Sequence, residues 1–263
     1  RPALARFVTF PLVESVVQCI LPALVLNLLI AGVPLLLARL ARAAGAVSLS
    51  AVDWAVAQQY FVFLAVTVFA GSFISGSVLN QIALWVRRPS AALNILGASA
   101  PMTSQYFLSF IVFMALAAAP FALLRLPALA LFSLKTATAG TERAKARLWQ
   151  DQFQAYGPRL PRLSLVLLLG VTFTPINPIV PPACLLYFLM VSLTEKYNLL
   201  YVQRERFQSG GLAWPLAQRQ VTASLLVAQV TLVFILAVKG APWAAALVVP
   251  LIPATLLFRS AAR

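Results

Sequence analysis

Few side chains in this sequence of 263 residues could carry out chemistry. It contains no histidine, six Asp plus Glu residues and two cysteines. Without histidine, Ser-His-Asp catalysis, Cys-His catalysis and His-ligated metal sites are excluded. Cys19 and Cys184 both fall in apolar runs, where a cysteine usually serves as a small buried hydrophobic residue. We therefore predict no catalytic constellation, metal site or cofactor site, and expect a protein that is not an enzyme.

The carboxylates are also placed outside the apolar runs. All six lie at the ends of apolar runs or in polar segments: Glu14, Asp53, Glu142, Asp151, Glu195 and Glu205. A proton relay needs ionisable groups at membrane depth, and an acidic ring is the simplest device that draws cations into a pore. The distribution argues against a proton-coupled transporter and predicts a pathway without an acidic ring.

The overall composition indicates an integral membrane protein. Hydrophobic residues make up 62% of the chain, charged residues 10%, and the mean hydropathy is +0.91. Soluble domains have roughly 45–50% apolar and about 25% charged residues. The formal net charge is +14, but membrane proteins carry Lys and Arg in loops that set topology. We therefore expect the lipid bilayer, and no nucleic acid, as a partner.

Seven apolar stretches are long enough to cross a bilayer as helices, for which about 20 residues are needed. They occupy about residues 17–40, 57–85, 102–124, 160–176, 179–200, 221–238 and 242–258. The polar stretch 135–162 predicts a loop with one short amphipathic helix. The predicted fold class is all-α, a polytopic membrane protein with seven transmembrane helices.

The stretch "FTPINPIVPPACLLYF" at 173–188 places four prolines inside an apolar run: Pro175, Pro178, Pro181 and Pro182. Proline lacks a backbone donor and disfavours helix at the residue before it. The prolines therefore predict the turn of a helical hairpin, and they could also act as hinges where spans bend. The alternative is one kinked span followed by a re-entrant segment.

The basic residues predict the orientation. With seven alternating spans, 15 of the 20 Lys and Arg residues fall on one side of the membrane. Because basic loops stay inside, that side is the cytoplasm. The N-terminus of this chain is then outside and its C-terminus is cytoplasmic. Without the proline hairpin the bias would be much weaker.

Aromatic residues cluster near the starts of the second and third predicted spans. They are Tyr60, Phe61, Phe63, Tyr106, Phe107 and Phe110. One interpretation is an interfacial belt with ordinary packing. The other is a hydrophobic constriction that gates a pore by dewetting. The pattern alone leaves both open.

Several passages resemble the OSCA family, the hyperosmolality- and stretch-gated, calcium-permeable cation channels of plants, fungi and animals. The signature passages are "NPIVPPACLLYF", "EKYNLLYV" and "SGGLAWP". Four further passages agree in order: "PLVESVVQCILPALVL", "QQYFVFLAVTVFAGS", "APMTSQYFLSFIV" and "LLRLPALALFSLK". The resemblance covers residues 7 to about 258.

The resemblance implies an architecture. Residues 1–263 would form the last seven of eleven spans, with an anoctamin-like channel core. The family's first spans and its large cytosolic domain would be absent, and homodimers would form through those absent parts. Because the sequence begins with Arg rather than Met, we expect a fragment or a processed chain. Because one wall of the family's pore would be missing, we expect that it does not conduct alone.

The resemblance also implies pore residues. The aromatic pair of the family's pore neck falls on Tyr106 and Phe107, and its neck valine falls on Val68. Two positions depart from the family pattern. Ala122 stands where the family has a pore-lining glutamate, and Thr67 stands where it has an asparagine. The missing carboxylate puts calcium preference in question.

The function implied is the pore region of a mechanosensitive or osmosensitive, calcium-permeable cation channel, in the plasma membrane. Calcium, potassium and sodium would permeate between the first four spans and one span upstream. Two alternatives stay open: a lipid scramblase of the same superfamily, and a structural membrane protein without conduction.

Overall fold

The computed structural model describes residues 32–71, 103–150, 155–203, 210–211 and 213–261. Regular structure in these ranges is helical. We number the helices in chain order: α1 at 32–43, α2 at Leu49–Leu64, α3 at 103–124, α4 at Leu126–Thr138, α5 at Glu142–Gln150, α6 at Arg159–Phe173, α7 at Val180–Tyr197, α8 at Ala213–Val238, α9 at Pro242–Val248 and α10 at Leu251–Ala261.

Four helical stretches of the described chain are long and apolar enough to cross a membrane. They are Leu49–Phe69, Thr103–Thr138, Ala213–Val238 and Pro242–Ala261. The prediction of an all-helical membrane protein is therefore confirmed. Most of the first predicted span lies outside the described residues, and its last part is helical as α1. The number of seven spans stays a prediction.

The proline hairpin is confirmed. α6 ends at Phe173 and α7 begins at Val180. In the turn, the Phe173 carbonyl accepts hydrogen bonds from the backbone N–H groups of Ile176 at 3.0 Å and Asn177 at 2.9 Å. The side-chain oxygen of Asn177 accepts from the N–H of Ile179 at 3.1 Å. This local hydrogen bonding closes a turn that reverses the chain.

Two helices begin earlier than the apolar pattern predicts. α2 begins at Leu49, eight residues before the predicted 57, because the Ser48 hydroxyl caps it and accepts from the N–H of Ala51 at 3.1 Å. Capping of this kind fixes a helix start irrespective of hydropathy. α8 begins at Ala213, eight residues before the predicted 221.

The third predicted span ends in a break rather than in a loop. Arg125 has a left-handed backbone with φ of 49°, after which the helix resumes as α4. The apolar run 126–134 and a proline at the start of α4, where its missing N–H costs nothing, account for the resumption. The short amphipathic helix predicted within 135–162 is α5.

Helices α2, α6 and α8 begin at the same end of the bundle. The Gln220 side chain near the start of α8 bonds both to Ala57 of α2 and to Ser164 of α6. The later residues Phe69 of α2 and Phe173 of α6 meet with ring centroids 6.3 Å apart. We call the end where these helices begin the polar end, and the opposite end the hairpin end. The shared direction is the one that alternating spans require.

α3 and α7 run the other way. Near their ends, the Thr194 hydroxyl of α7 donates to the Ala119 carbonyl of α3 at 3.4 Å. Near its start, α3 places Phe107 against Phe173, with ring centroids 5.1 Å apart. Two helices that begin at the hairpin end therefore alternate with three that begin at the polar end.

The core lies between α2, α3, α6 and α7. Its fully buried members include Tyr60, Phe107, Ile111, Leu168, Leu169 and Phe173. Gly170 allows α6 and α7 to approach closely, since a Cβ atom at this position would lie 2.7 Å from the Cys184 sulfur. Cys184 thus has the buried packing role that the sequence predicts for it.

We expect Gly170→Ala to lower the thermal unfolding midpoint, because the added methyl group overpacks the α6–α7 contact at a cost of about 1–3 kcal/mol. Thermal melts of the detergent-purified protein, followed by tryptophan fluorescence, measure the change. Adding Cys184→Ala should restore the midpoint, because the Cys184 Cβ itself would lie 3.7 Å away, an ordinary contact. Gly71→Ala is the control, since its nearest atom would also be 3.7 Å away. A double variant no more stable than Gly170→Ala contradicts this account.

Candidate functional site

The predicted neck valine lies in a π-helical turn. α2 continues beyond Leu64 as a π-helix over Ala65–Ala70, a conformation that is rare and often marks functional positions. Thr67 is exposed, Val68 packs against the core, and Phe69 is buried in it. The wider turn lets two consecutive side chains, Val68 and Phe69, contact the same core.

The two predicted neck aromatics lie in different environments. Phe107 is 0% exposed, whereas Tyr106 is 57% exposed. Their rings are 5.4 Å apart in an edge-to-face arrangement. Phe107 therefore belongs to the packed interior between α2, α3 and α6, and Tyr106 lies on the outer surface of α3 in the described part of the chain.

Ala122 is separated from the aromatic pair. It is exposed and lies fifteen residues beyond Phe107 on α3, about 22 Å along the helix axis. The structure thus brings Val68 and Phe107 into one cluster and leaves Thr67, Tyr106 and Ala122 on exposed surfaces. A pore lined by these positions would extend along α3, because the positions do not lie at one level of the bundle.

Phe173 is a member of this cluster that sequence reasoning missed. Its ring lies between Phe69 and Phe107, with centroid separations of 6.3 Å and 5.1 Å. We call these three residues, from α2, α3 and α6, the aromatic triad. The sequence feature that could have identified Phe173 is its position as an aromatic residue at the end of α6, directly before the proline turn.

The four predicted hinge prolines end and begin helices in the structure. Pro175 and Pro178 lie in the hairpin turn, and Pro181 and Pro182 lie in the first turn of α7. All four are exposed. In the first turn of a helix, proline removes no hydrogen bond. Their position accounts for the turn, while a hinge role stays a prediction.

At the polar end, an acidic side chain binds two backbone N–H groups. Asp53 of α2 accepts from Tyr156 at 3.0 Å and from Gly157 at 2.8 Å, just before α6. A Cβ atom on residue 157 would lie 2.5 Å from the Asp53 carboxylate oxygen. Only glycine therefore permits this contact, which we call the carboxylate clamp.

An ion pair joins the start of α6 to the end of α7. The guanidinium of Arg159 pairs with Glu195, with a hydrogen bond from Nε to Oε1 of 3.1 Å. It also donates to the Gln203 side chain at 3.0 Å. One turn further on, Arg162 lies 3.5 Å from the Tyr60 hydroxyl. Asp53 and Glu195 are thus anchors between helices, a role that their position at span ends did not reveal.

A buried amide connects three helices. Gln220 of α8 accepts from the Ser164 hydroxyl at 2.7 Å and donates to the Ala57 carbonyl at 3.0 Å. Gln220 and Ser164 are both buried. Buried polar groups are stabilising only when paired, so this contact fixes how α2, α6 and α8 are aligned. In the part of the chain that the structure describes, no group of three or more His, Cys, Asp or Glu residues could hold a metal ion.

Comparison with known proteins identifies the family. The model of a family described as "Calcium-dependent channel, 7TM region, putative phosphate" matches residues 2–236. This chain belongs to the OSCA family. The resemblance seen in the hairpin and its exit is thereby confirmed, and the protein is an integral membrane protein of a channel family. The OSCA family consists of channels, a kind of protein that is not an enzyme.

Several of its relatives are named as channels. "Hyperosmolality-gated Ca2+ permeable channel 1.8" of Arabidopsis thaliana is 30% identical over 242 residues, 91% of this chain and 30% of the relative. Channel 1.7 of the same plant is 27% identical over 95% of this chain and 32% of its own length. "CSC1-like protein ERD4" of Brassica juncea is 26% identical over 98% of this chain and 36% of the relative. The chain thus spans about a third of the length of these relatives.

We expect Gln220→Leu to destabilise the protein by about 1–3 kcal/mol, because the buried Ser164 hydroxyl loses its acceptor. Combining it with Ser164→Ala should recover part of that loss, since removing both partners leaves no unpaired hydroxyl. Detergent-denaturation titrations of the purified protein measure both. Gln59→Leu on the exposed surface of α2 is the control. Additive effects of the two substitutions are the result that contradicts coupling.

Proposed function

We propose that residues 1–263 form the pore region of a mechanically or osmotically gated, calcium-permeable cation channel in the plasma membrane. The aromatic triad carries this proposal. It joins three helices of the predicted pore, and it includes the position onto which the family's aromatic neck falls. Family membership and the printed names of the relatives support it.

The triad has the properties of a closed hydrophobic gate. Phe107 and Phe173 are fully buried and in contact, so no water layer separates α3 from α6 at this level. Apolar constrictions block ions by excluding water, and modest widening wets them. Membrane tension favours the state with the larger cross-sectional area, which here means separating α2, α3 and α6.

Selectivity follows from side chains on α3 and on the π-helical turn that continues α2. Ala122 supplies no carboxylate, and Thr67 supplies a neutral hydroxyl. We therefore propose that calcium, potassium and sodium permeate with little discrimination. Uncharged pore walls lack the field strength that prefers divalent over monovalent cations.

The proposed topology has seven spans with an anoctamin-like core, an outside N-terminus and a cytoplasmic C-terminus. The common direction of α2, α6 and α8 supports it, because alternation places all three starts on one side of the membrane. Basic residues near that end, such as Arg159, Arg162 and Arg219, make it the cytoplasmic side under the positive-inside rule. Homodimers would form through parts of the longer protein.

The primary test is patch-clamp recording under stepped suction, on the full-length protein that contains this chain, in cells without endogenous stretch channels. We expect tension-gated cation current. Silence with verified surface expression contradicts a channel. A fluorescent-lipid bleaching assay in proteoliposomes then tests the scramblase alternative, because scrambling needs no ionic current.

We expect Phe107→Ala and Phe173→Ala to raise resting current and lower the suction needed for half-maximal opening, because each removes a ring from the apolar constriction. Both are measured in the same recordings. Phe110→Ala is the matched control, an aromatic of α3 outside the triad. If Phe110→Ala opens the channel as readily as Phe107→Ala, general core damage rather than a gate explains the effect.

We expect Ala122→Glu to shift the reversal potential under a calcium gradient towards that of calcium, because a carboxylate at the pore wall concentrates divalent cations. Leu124→Glu is the control, since two residues further on its side chain points about 200° around the helix. Equal shifts in the two variants would show a surface-charge effect and would remove Ala122 from the pore.

A further inference from the structure

The two ends of α6 contact their neighbours by different chemistry. Within residues 156–164 this segment makes the carboxylate clamp, the Arg159–Glu195 ion pair and the Ser164–Gln220 hydrogen bond. Those contacts reach α2, α7 and α8. From Leu165 to Phe173 the buried side chains are almost all apolar, and they include the α6 member of the aromatic triad.

Polar contacts and apolar contacts resist motion differently. A hydrogen bond weakens steeply with distance and angle, and leaving a buried charge or donor unpaired costs the full desolvation penalty. Apolar surfaces are non-directional and can slide or separate with a gradual loss. The start of α6 is therefore held in one position. Among the described residues its second half is held mainly by packing, with one long contact of 4.0 Å from the Cys184 thiol to the Val166 carbonyl.

Irregular backbone occurs at the hairpin end, as it also does in α3 at Met114–Ala118 and after α7 at Asn198–Val202. The π-helical turn of α2 carries Phe69 against Phe173. In α6 itself, the Thr174 hydroxyl donates to the Gly170 carbonyl at 2.6 Å, a side-chain bond that often bends helices. Gly170 is also a position of close approach to α7. The hairpin end thus has the features that allow helices to change shape.

A buried hydroxyl at this end has no hydrogen-bond partner in the part of the chain that the structure describes. Thr172 is 2% exposed, and its Oγ1 finds no hydrogen bond among the described residues. Such groups are rare in native structures because each carries a desolvation penalty. The packed arrangement is therefore raised in free energy relative to one in which water reaches Thr172.

We propose that α6 is a lever, pinned at its polar end and moving at its hairpin end when the channel opens. This inference rests on the proposed channel function and adds the direction of motion. The carboxylate clamp and the Arg159–Glu195 pair form the pivot. Movement of the hairpin end withdraws Phe173 from Phe69 and Phe107 and brings Thr172 into contact with water, which offsets part of the lost apolar contact.

Distances between spin labels test the lever directly. One pair of cysteines, Ala51→Cys and Leu160→Cys, reports the distance between α2 and α6 at the polar end. A second pair, Val66→Cys and Val171→Cys, reports that distance at the hairpin end. They are placed in the full-length protein with Cys19 and Cys184 replaced by alanine. Pulsed electron–electron double resonance then measures the distances between the labels in nanodiscs with and without lysophosphatidylcholine, a lipid that mimics membrane tension.

We expect the hairpin-end distance to change by about 2 Å or more, the scale of helix shifts in switching proteins, and the polar-end distance to stay unchanged. Equal changes at both ends, or a larger change at the polar end, overturn the lever. Currents from the same protein in liposomes report the channel function separately. Current with no distance change at either end overturns the lever alone, and motion without current contradicts the channel alone.

The pivot is tested with Asp53→Asn and Gly157→Ala, which disturb the same contact from opposite sides. Each should make the polar-end distance responsive to lysophosphatidylcholine, and the double variant should do no more than either alone, because both remove one interaction. If both variants fold, as judged by size-exclusion chromatography, and the polar end stays fixed, the clamp is not the pivot. Gly140→Ala is the control, because a Cβ atom there meets nothing within 4 Å.

The Thr172 hydroxyl is tested by the suction needed for half-maximal current, a quantity that a merely structural role would leave unchanged. Thr172→Val keeps the side-chain shape and removes the hydroxyl, so the packed state should be favoured about tenfold and more suction should be needed for half-maximal current. Thr222→Val is the control, since that buried hydroxyl already bonds to the Gln218 carbonyl at 2.8 Å. Easier opening of Thr172→Val, or an equal shift in both variants, overturns the role of Thr172.

Discussion

The amide of Gln220 is the constraint on which the described bundle depends. It bonds a carbonyl of α2 and a hydroxyl of α6 from a position on α8. Apolar side chains alone do not specify how helices slide along each other, because lipid tails and leucines are equally apolar. A buried amide does so, because each displacement of one helix leaves two polar groups unpaired. With three starts fixed in this way, the direction of α7 follows from the turn between α6 and α7.

Part of this architecture could be predicted because it depends on local chemistry. Proline has no backbone donor, so four prolines within an apolar run had to mark the α6–α7 turn. The amphipathic helix α5 was equally local. The starts of α2 and α8 were missed because hydropathy shows only which segments are apolar. A helix begins where its first N–H groups find acceptors, such as the Ser48 hydroxyl.

The contacts between helices could not be predicted from the chain alone. Asp53 and Gly157 are more than a hundred residues apart, and no spacing rule connects them. Phe173 could be recognised as a core aromatic only once Phe69 and Phe107 were seen beside it. The family resemblance indicated Val68, Phe107 and Ala122 but carries no information on which of them meet. Only the structure shows that Ala122 lies far from the aromatic triad along α3.

The left-handed residue at Arg125 sets the length of α3. A continuous helix over Thr103–Thr138 has 36 residues and would be about 54 Å long, far more than the roughly 30 Å of a hydrocarbon core. The break comes after 22 residues, about 33 Å from the start of α3. A non-glycine side chain in this conformation costs of order 1–3 kcal/mol, which is comparable to or below the cost of placing a guanidinium in lipid. The break at Arg125 therefore keeps the described part of α3 close to one bilayer thickness.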